Sequence, residues 1–259
     1  MTLQPEIILD GWREWEATPA GRPVIIRELG GGRSNRSLLL KAANAQMVLR
    51  INVTASALPS HGRKAEADIW RAASGAGIAP RLLHADPAGR FLVSAYIENN
   101  LPDRPQDDPA LAIQALDLLQ RCHRLEVDAP AMNYASHIER YWRFIESRRT
   151  PVSPALLDQR RPMQDLLAAL GGGETGLSLC HHDPVVANFV GGSGRLYLLD
   201  WEYAAIGWPV MDFAALGCEW EIADDVILER TGVDSVSLSR ASTLYRYLCA
   251  LWETVNRTR

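Results

Sequence analysis

The stretch HHDPVVAN, residues 181–188, followed by LLDWE, residues 198–202, is the most informative part of this chain. Asp183 leads a polar loop, Asn188 closes the loop five positions later, and Asp200 ends the next apolar strand. This spacing allows the two carboxylates and the carboxamide to face one small volume. Metal-assisted phosphoryl transfer needs this set, because one Asp accepts the proton of the acceptor hydroxyl while an Asn and a second Asp hold Mg²⁺. Mg²⁺ keeps several waters, so two protein ligands and the phosphates of ATP suffice.

The same residues also have structural interpretations. The pattern HxDxxxxN is short and can arise by chance, with Asp183 as a turn residue before Pro184 and Asn188 as a loop residue. The strand that ends in Asp200, twelve residues after Asn188, favours the phosphoryl-transfer interpretation. A zinc site at Cys180 and the adjacent histidines is disfavoured, because adjacent ligands do not readily close one tetrahedral site and no fourth ligand is spaced nearby.

Residues suited to holding phosphates lie upstream of this loop. A glycine-rich turn, LGGGRSN at residues 29–35, separates two predicted strands, and glycines let backbone N–H groups approach a phosphate closely. An ordinary hairpin turn is the alternative. Arg50 lies inside the apolar strand VLRI, where a cation is costly unless it is paired or bound to an anion. Glu66, on the following predicted helix, could pair with Arg50; the alternative is a surface ion pair, which is worth little.

The pattern predicts a β-rich first third, residues 1–97, joined by a polar connector to a helix-rich remainder, residues 98–259. Trp12 and Trp15 are predicted on an N-terminal helix that packs on the β-rich part; a surface for a partner is the alternative. The predicted strands are Val24–Leu29, Ser37–Lys41, Gln46–Asn52, Arg81–Ala85, Phe91–Ile97, Leu177–Cys180 and Arg195–Leu199. The predicted helices are Ala65–Ser74, one that begins at Pro109, Tyr134–Arg148, Pro154–Leu170 and most of the chain after Pro209.

Composition narrows the class of protein. The 259 residues carry a formal charge of −4, so they offer no basic face for a nucleic acid. The four cysteines lie far apart with no CxxC pair and are expected to be reduced thiols of a cytoplasmic protein. No stretch reaches the roughly 18 uncharged apolar residues of a membrane span. We therefore expect neither nucleic acid nor membrane as a partner.

The order of these parts resembles the choline kinase and aminoglycoside phosphotransferase-like small-molecule kinases, distant relatives of protein kinases. Three details look closest to the choline, ethanolamine and thiamine kinase branch. These are GGRSNRS at 31–37, DWEY at 200–203, and Asp212 followed six residues later by CEW at 218–220. One difference is His182, because the family often carries Gly or Asn at that position.

The resemblance implies an α+β, bilobal protein-kinase-like fold with an antiparallel N-lobe sheet plus a helix and a mainly helical C-lobe. It implies that Asp183 is the catalytic base and that Asn188 and Asp200 bind Mg²⁺. Arg50, positioned by Glu66, would hold the phosphates of ATP. The loop over the phosphates would contribute Gly31, Gly32, Ser34 and Asn35. The adenine would meet backbone groups around Ser94, Tyr96 and Ile97, and the acceptor would meet Glu202, Glu219 and Trp220.

Aromatic and acidic residues of the C-terminal half favour a cationic alcohol as acceptor: choline, ethanolamine or thiamine. Aromatic faces attract such a cation by about 0.5–2 kcal/mol. Most of these aromatics are expected to pack in the core, and only two or three to line the acceptor site. The whole set is Trp201, Tyr203, Trp208, Trp220, Tyr245, Tyr247 and Trp252. An aminoglycoside or sugar phosphotransferase and a catalytically inactive ligand-binding module are the alternatives. The spacing leaves open the acceptor, the oligomeric state and the use of GTP.

Overall fold

A computed structural model of the chain describes residues 3–30, 35–43, 45–52, 63–171, 176–192 and 194–257. The strands of these residues are β1 (Val24–Leu29), β2 (Asn35–Ala42), β3 (Ala45–Asn52), β4 (Leu82–Ala85), β5 (Phe91–Ala95), β6 (Ser178–Cys180), β7 (Phe189–Gly192), β8 (Arg195–Leu198) and β9 (Ala205–Gly207). The helices are α1 (Pro5–Asp10), α2 (Arg63–Gly75), α3 (Pro109–Cys122), α4 (Tyr134–Arg148), α5 (Pro154–Gly171), α6 (Pro209–Glu219), α7 (Asp224–Thr231) and α8 (Ser235–Asn256).

The chain divides into two compact units. The first contains the described residues up to 103 together with 187–203, and the second contains 104–186 together with the described residues from 204 onward. This division differs from the contiguous one expected at residues 97 and 98, because the β7–β8 hairpin packs with the first unit. The Leu198 N–H, for example, donates to the Ile78 carbonyl oxygen over 2.9 Å.

The first unit is built on a five-stranded antiparallel sheet in the order β1-β2-β3-β5-β4. Alternating residues of its inner strands form a core with α1 and two tryptophans, Trp12 and Trp15. The prediction that both tryptophans lie on a helix is confirmed only for Trp12, which lies in a short 3₁₀ helix (Trp12–Glu14) after α1, whereas Trp15 directly follows that helix. Their packing against the β-rich part is confirmed.

The second unit is mainly helical, as predicted. Asp108 caps α3, with its side chain accepting a hydrogen bond from the Ala110 N–H over 2.9 Å, and Pro109 occupies the first turn, where its missing N–H costs nothing. The long helix α8 packs against α4, α5 and α6. Strand β6 pairs with β9, which leads into α6. None of the described helices has the length and hydropathy that a membrane span requires.

Two strands, β7 and β9, were not predicted from the sequence. They are only four and three residues long, which is too short for an alternating pattern to be recognised. Strand β7 begins directly after Asn188 in the first unit, and β9 ends directly before Trp208 in the second.

Candidate active site

Arg50 is the centre of a buried ion cluster in the first unit. Its side chain is 9% exposed and pairs with the side chain of Glu66, which is 1% exposed. Nη2 of the guanidinium group faces Glu66, and the other terminal nitrogen, Nη1, donates to Oδ1 of Asp200 over 2.9 Å. A buried guanidinium is tolerated only when it is paired in this way. The structure therefore brings together three residues that the sequence predicted: one from β3, one from α2 and one two residues after the end of β8.

Arg63 joins the same cluster and was missed by the sequence reasoning. Its Nη1 donates to Glu66 Oε2 and to Glu202 Oε2, both over 3.0 Å, and its Nη2 contacts Asn35 Oδ1 at 3.4 Å. Arg63 precedes Glu66 by three residues on α2, a spacing that places two side chains on one helix face. The sequence could therefore have indicated the pairing of Arg63 with Glu66. Glu202, predicted to face the acceptor, is placed by the structure in this cluster.

The electrostatics of this cluster favour an added cation. Burial raises the pKa of Glu202, the charge of Asp200 raises it further, and Arg63 and Arg50 lower it only in part. Burial would lower the pKa of Arg50, but the carboxylates of Glu66 and Asp200 outweigh burial and raise it. Three carboxylates therefore face two guanidinium groups. A divalent cation at Asp200 would relieve the repulsion that Glu202 experiences.

Asn188 and Asp200 lie at the open end of the β7–β8 hairpin. Phe189 pairs with Leu198 across the hairpin, and the next link is a 2.8 Å hydrogen bond from the Leu199 N–H to the Asn188 carbonyl oxygen. Asp200 has a φ of +60°, in the left-handed region that Asp enters more readily than most residues. The side chains supply a carboxamide and a carboxylate, the hard oxygen donors that Mg²⁺ prefers. The donor set therefore fits the predicted metal.

The predicted nucleotide contacts are described only in part. Gly31, Gly32 and Ser34 lie outside the described residues, whereas Asn35 begins β2 and contacts Arg63. Ser94 is buried in β5 opposite Val48, and the Tyr96 N–H donates to the Gln46 carbonyl oxygen over 3.1 Å. The Tyr96 N–H is therefore engaged with β3, and the contact of an adenine with the Tyr96 carbonyl oxygen or with the backbone of Ile97 stays a prediction.

Asp212 holds the loop that carries Asp183 in the second unit. Its buried carboxylate accepts hydrogen bonds from the backbone N–H groups of His181 and His182, each over 2.7 Å, and from His123 Nε2 over 2.9 Å. Burial alone would raise the pKa of Asp212, but the hydrogen bond from His123 and the nearby histidines lower it to about 2. From the sequence, Asp212 was noted only for its spacing to the CEW motif at residues 218–220. The structure gives it a defined role in fixing the loop.

Asp212→Asn is expected to destabilise the protein and to flatten the acid limb of its stability curve. The ordinary Asp pKa of 3.8 falls to about 2 on folding. This shift contributes about 2 kcal/mol that is fully present above pH 4 and is lost as the pH falls toward 2. Urea unfolding of both proteins between pH 7 and pH 3 measures the difference. Parallel curves for wild type and variant would contradict the role of the ionised carboxylate.

Cys180, His123 and Asp212 place one potential ligand atom each within 4.8 Å of the others. The geometry shows a hydrogen-bond network rather than an open ligand set, because Asp212 already accepts from His123 and from two backbone N–H groups. Burial raises the pKa of the Cys180 thiol well above its usual range, and a protonated thiol is a poor metal ligand. We interpret this group as structural.

Around Asp183, the second unit places aromatic and acidic side chains. Burial raises the pKa of the Cys249 thiol to about 11, and the charges of Glu219 and Asp183 add to the rise. The pKa of Tyr141 is raised by burial and by the same Asp183 charge. The Tyr245 hydroxyl donates to Glu219 Oε1 over 2.7 Å. Asp183 therefore lies within electrostatic range of Tyr141 and Cys249.

Three of the seven predicted aromatics are core residues, and the other four, Tyr203, Trp208, Tyr245 and Trp252, are half-buried. Trp201, Trp220 and Tyr247 are at most 2% exposed. Trp220, predicted to face the acceptor, has no exposed surface, whereas its neighbour Glu219 is half-buried. Tyr141 and Tyr245 are the aromatics that the structure associates with Asp183 and Glu219, and Tyr141 was not among the predicted residues.

Residues 25–236 match the model of the Phosphotransferase enzyme family. A curated relative, Protein LicA of Haemophilus influenzae, is 25% identical in an alignment of 198 residues that covers 72% of this chain and 56% of the relative. The chain thus spans little more than half the length of that relative.

Solved structures share the fold. A choline/ethanolamine kinase family protein from Mesorhizobium loti is 21% identical, with 96% of this chain and 84% of that chain covered and a TM-score of 0.74. The choline kinase LicA from Streptococcus pneumoniae is 23% identical, with 90% and 87% covered and a TM-score of 0.74. Aminoglycoside phosphotransferases bound to ADP or GDP follow, at TM-scores of 0.62 to 0.65.

Proposed function

Because the chain belongs to the Phosphotransferase enzyme family, we propose that it transfers the γ-phosphoryl group of ATP, with Mg²⁺, to the hydroxyl of a small cationic alcohol such as choline, ethanolamine or thiamine. The observation that carries this proposal is the buried Arg50, held between Glu66 and Asp200. A cation fixed beside a metal-binding carboxylate is the arrangement that binds a nucleoside triphosphate with its metal.

The first unit supplies the nucleotide side of the proposed site. Arg50 holds phosphate oxygens, Glu66 keeps its guanidinium in place, and Arg63 with Asn35 lies beside them. Asn188 and Asp200 would hold Mg²⁺, which neutralises charge on the phosphates. Arg50 and the metal then share the Asp200 carboxylate, so nucleotide binding is expected to loosen the contact between Arg50 and Asp200 seen here.

The second unit supplies the acceptor side. Asp183 accepts the proton of the acceptor hydroxyl as the new bond forms between that oxygen and the γ-phosphorus. The bond between the γ-phosphorus and the bridging oxygen breaks, and ADP leaves with that oxygen. The loop that positions Asp183 is held by Asp212 through two backbone N–H groups, so the base has a fixed support.

The side chains near Asp183 support a cationic acceptor. Glu219 is half-buried, keeps its carboxylate on the Tyr245 hydroxyl, and lies within electrostatic range of Cys249, as Asp183 does. A carboxylate and an aromatic ring both attract an organic cation, and the ring alone contributes about 0.5–2 kcal/mol. The names of the choline and ethanolamine kinase relatives point in the same direction.

The test is ADP release from Mg-ATP with choline, ethanolamine, thiamine, kanamycin and homoserine. We expect turnover with one of the cationic alcohols. For choline, the sharp comparison is 3,3-dimethylbutan-1-ol, which has the same shape without the charge. We expect kcat/KM for choline to exceed that of this alcohol by about 2–30-fold from cation–π attraction, and Glu219→Gln to reduce the preference. Equal use of the charged and neutral alcohols would contradict a cation-selective acceptor site.

Two alternatives are separated by the same assay. Preferred turnover of kanamycin would indicate an aminoglycoside phosphotransferase, which the shared fold also allows. Silence with every acceptor, together with thermal stabilisation by ATP that needs Mg²⁺, would favour a nucleotide-binding module without catalysis. Thermal unfolding unchanged by Mg-ATP would remove the kinase proposal itself, because the ion cluster would then not bind a nucleotide.

A further inference from the structure

His182, which directly precedes Asp183, has an unfavourable backbone conformation. Its φ is +65°, in the left-handed region where a side chain with a Cβ crowds the backbone and where glycine is favoured. A residue held in this region needs support from its surroundings. The direction of the backbone at Asp183 depends on the conformation of His182, and therefore on the contacts that hold His182.

Contacts of both the backbone and the ring hold His182. Its backbone N–H donates to Asp212 Oδ1 over 2.7 Å, and its ring Nε2 lies 2.8 Å from the hydroxyl of Tyr134. The Tyr134 oxygen also accepts the Trp208 N–H at 3.2 Å, and the tautomer of His182 sets which of the two side chains donates in the bond between Tyr134 and Nε2. One tyrosine hydroxyl therefore joins the loop to the start of α6.

Tyr134 is itself rigidly placed. It is the first residue of α4, which is capped by the Asn133 side chain accepting from the Ser136 N–H over 2.9 Å. Its ring is 5% exposed and stacks on Trp208, with ring centres 4.4 Å apart and planes 16° from parallel. The hydroxyl therefore acts from a fixed point of the second unit.

Gly207 leaves the space that this contact needs. A Cβ at Gly207 would lie 2.6 Å from His182 Nε2 and 2.7 Å from the Tyr134 oxygen, both closer than real Cβ atoms approach. The start of α4, the loop after β6 and the end of β9 thus converge on one hydrogen bond. Any side chain at position 207 would break it.

We infer that Tyr134 is a positioning residue for Asp183: its hydroxyl locks His182 in the left-handed conformation and so fixes the direction in which the Asp183 carboxylate is presented. The inference rests on the proposed function, in which Asp183 is the base. A glycine at position 182 would adopt this backbone conformation without a lock. The tyrosine hydroxyl is therefore needed to hold this conformation because position 182 is a histidine and not a glycine.

The experiment is a double-mutant cycle on the full chain with Tyr134→Phe and His182→Gly. Phe keeps the stacking on Trp208 and removes only the hydroxyl. With His182 present, we expect Tyr134→Phe to lower kcat by about tenfold, because small displacements of a reacting group are costly, and to leave the KM for Mg-ATP within about twofold. In the His182→Gly background, the same substitution should change kcat by less than about twofold.

Tyr247→Phe is the matched control. The Tyr247 hydroxyl is also buried in the second unit and accepts from Trp142 Nε1 over 2.8 Å. Its removal should lower thermal stability as Tyr134→Phe does, but should leave kcat unchanged. If both Phe variants lower kcat in proportion to their loss of stability, Tyr134 is merely structural and the inference fails.

Hydrogen exchange of the His181 and His182 amides gives a readout that needs no acceptor. Tyr134→Phe should speed their exchange with His182 present and have little further effect with Gly at position 182. This result without turnover of any acceptor would remove the proposed function and keep the positioning role. An equal effect of Tyr134→Phe in both backgrounds, on exchange or on kcat, would overturn the inference, because the hydroxyl would then act elsewhere.

Discussion

Asp183→Asn is expected to lower kcat by about 10²–10⁴-fold, the range that a positioned general base contributes. The carboxamide has nearly the same shape, but it cannot take the proton of the acceptor hydroxyl. Binding of Mg-ATP should persist, because the cations that hold the phosphates in our proposal belong to the Arg50 cluster. The measurements are single-turnover ADP formation and thermal stabilisation by Mg-ATP.

The same variant offers a check on geometry that does not depend on activity. The Asp183 charge raises the pKa of the Cys249 thiol, so its removal should lower that pKa from about 11. The pH profile of Cys249 alkylation reports the shift. Asp158→Asn, an exposed carboxylate on α5, is the control and should change neither kcat nor the profile. Near-full activity of Asp183→Asn would exclude Asp183 as the base.

The local parts of the site could be predicted from the sequence because each depends on residues close in the chain. The strand that carries Arg50, the helix that carries Glu66 and the strand that ends before Asp200 follow from short patterns. The resemblance to choline kinase-like and aminoglycoside phosphotransferase-like enzymes is confirmed by the family match and by the shared fold. Fold class was therefore accessible before any coordinates.

The long-range pairings could not be predicted in the same way. Glu202 carries an acidic side chain in a motif, and nothing in that motif shows that Arg63, 139 residues away, takes it as a partner. Trp220 was predicted from the motif to face the acceptor, yet it has no exposed surface. In the sequence, His182 is a difference from the family pattern, and only the structure shows that the residue has a φ of +65° and a hydrogen bond to Tyr134. Burial and backbone conformation belong to the folded chain as a whole.

Arg50→Met should abolish thermal stabilisation by Mg-ATP and should also destabilise the free protein. Removing one partner of a buried pair costs about 3–5 kcal/mol, because the remaining charge is left uncompensated. Arg63 still contacts Glu66 and reduces this cost, so we expect the lower end of that range. Urea unfolding measures the stability, and thermal shift with and without Mg-ATP measures the binding.

The double variant Arg50→Met, Glu66→Met separates the two roles of the cation. An apolar pair of similar volume is often as stable as a buried ion pair, so the double variant should recover much of the lost stability. It should not recover binding of Mg-ATP, because no cation remains at position 50 to meet the phosphates. Arg71→Met, on the same helix with a 42% exposed side chain, should cost about 1 kcal/mol or less and leave binding intact. Nucleotide binding by the stable double variant would show that Arg50 serves the fold rather than the phosphates.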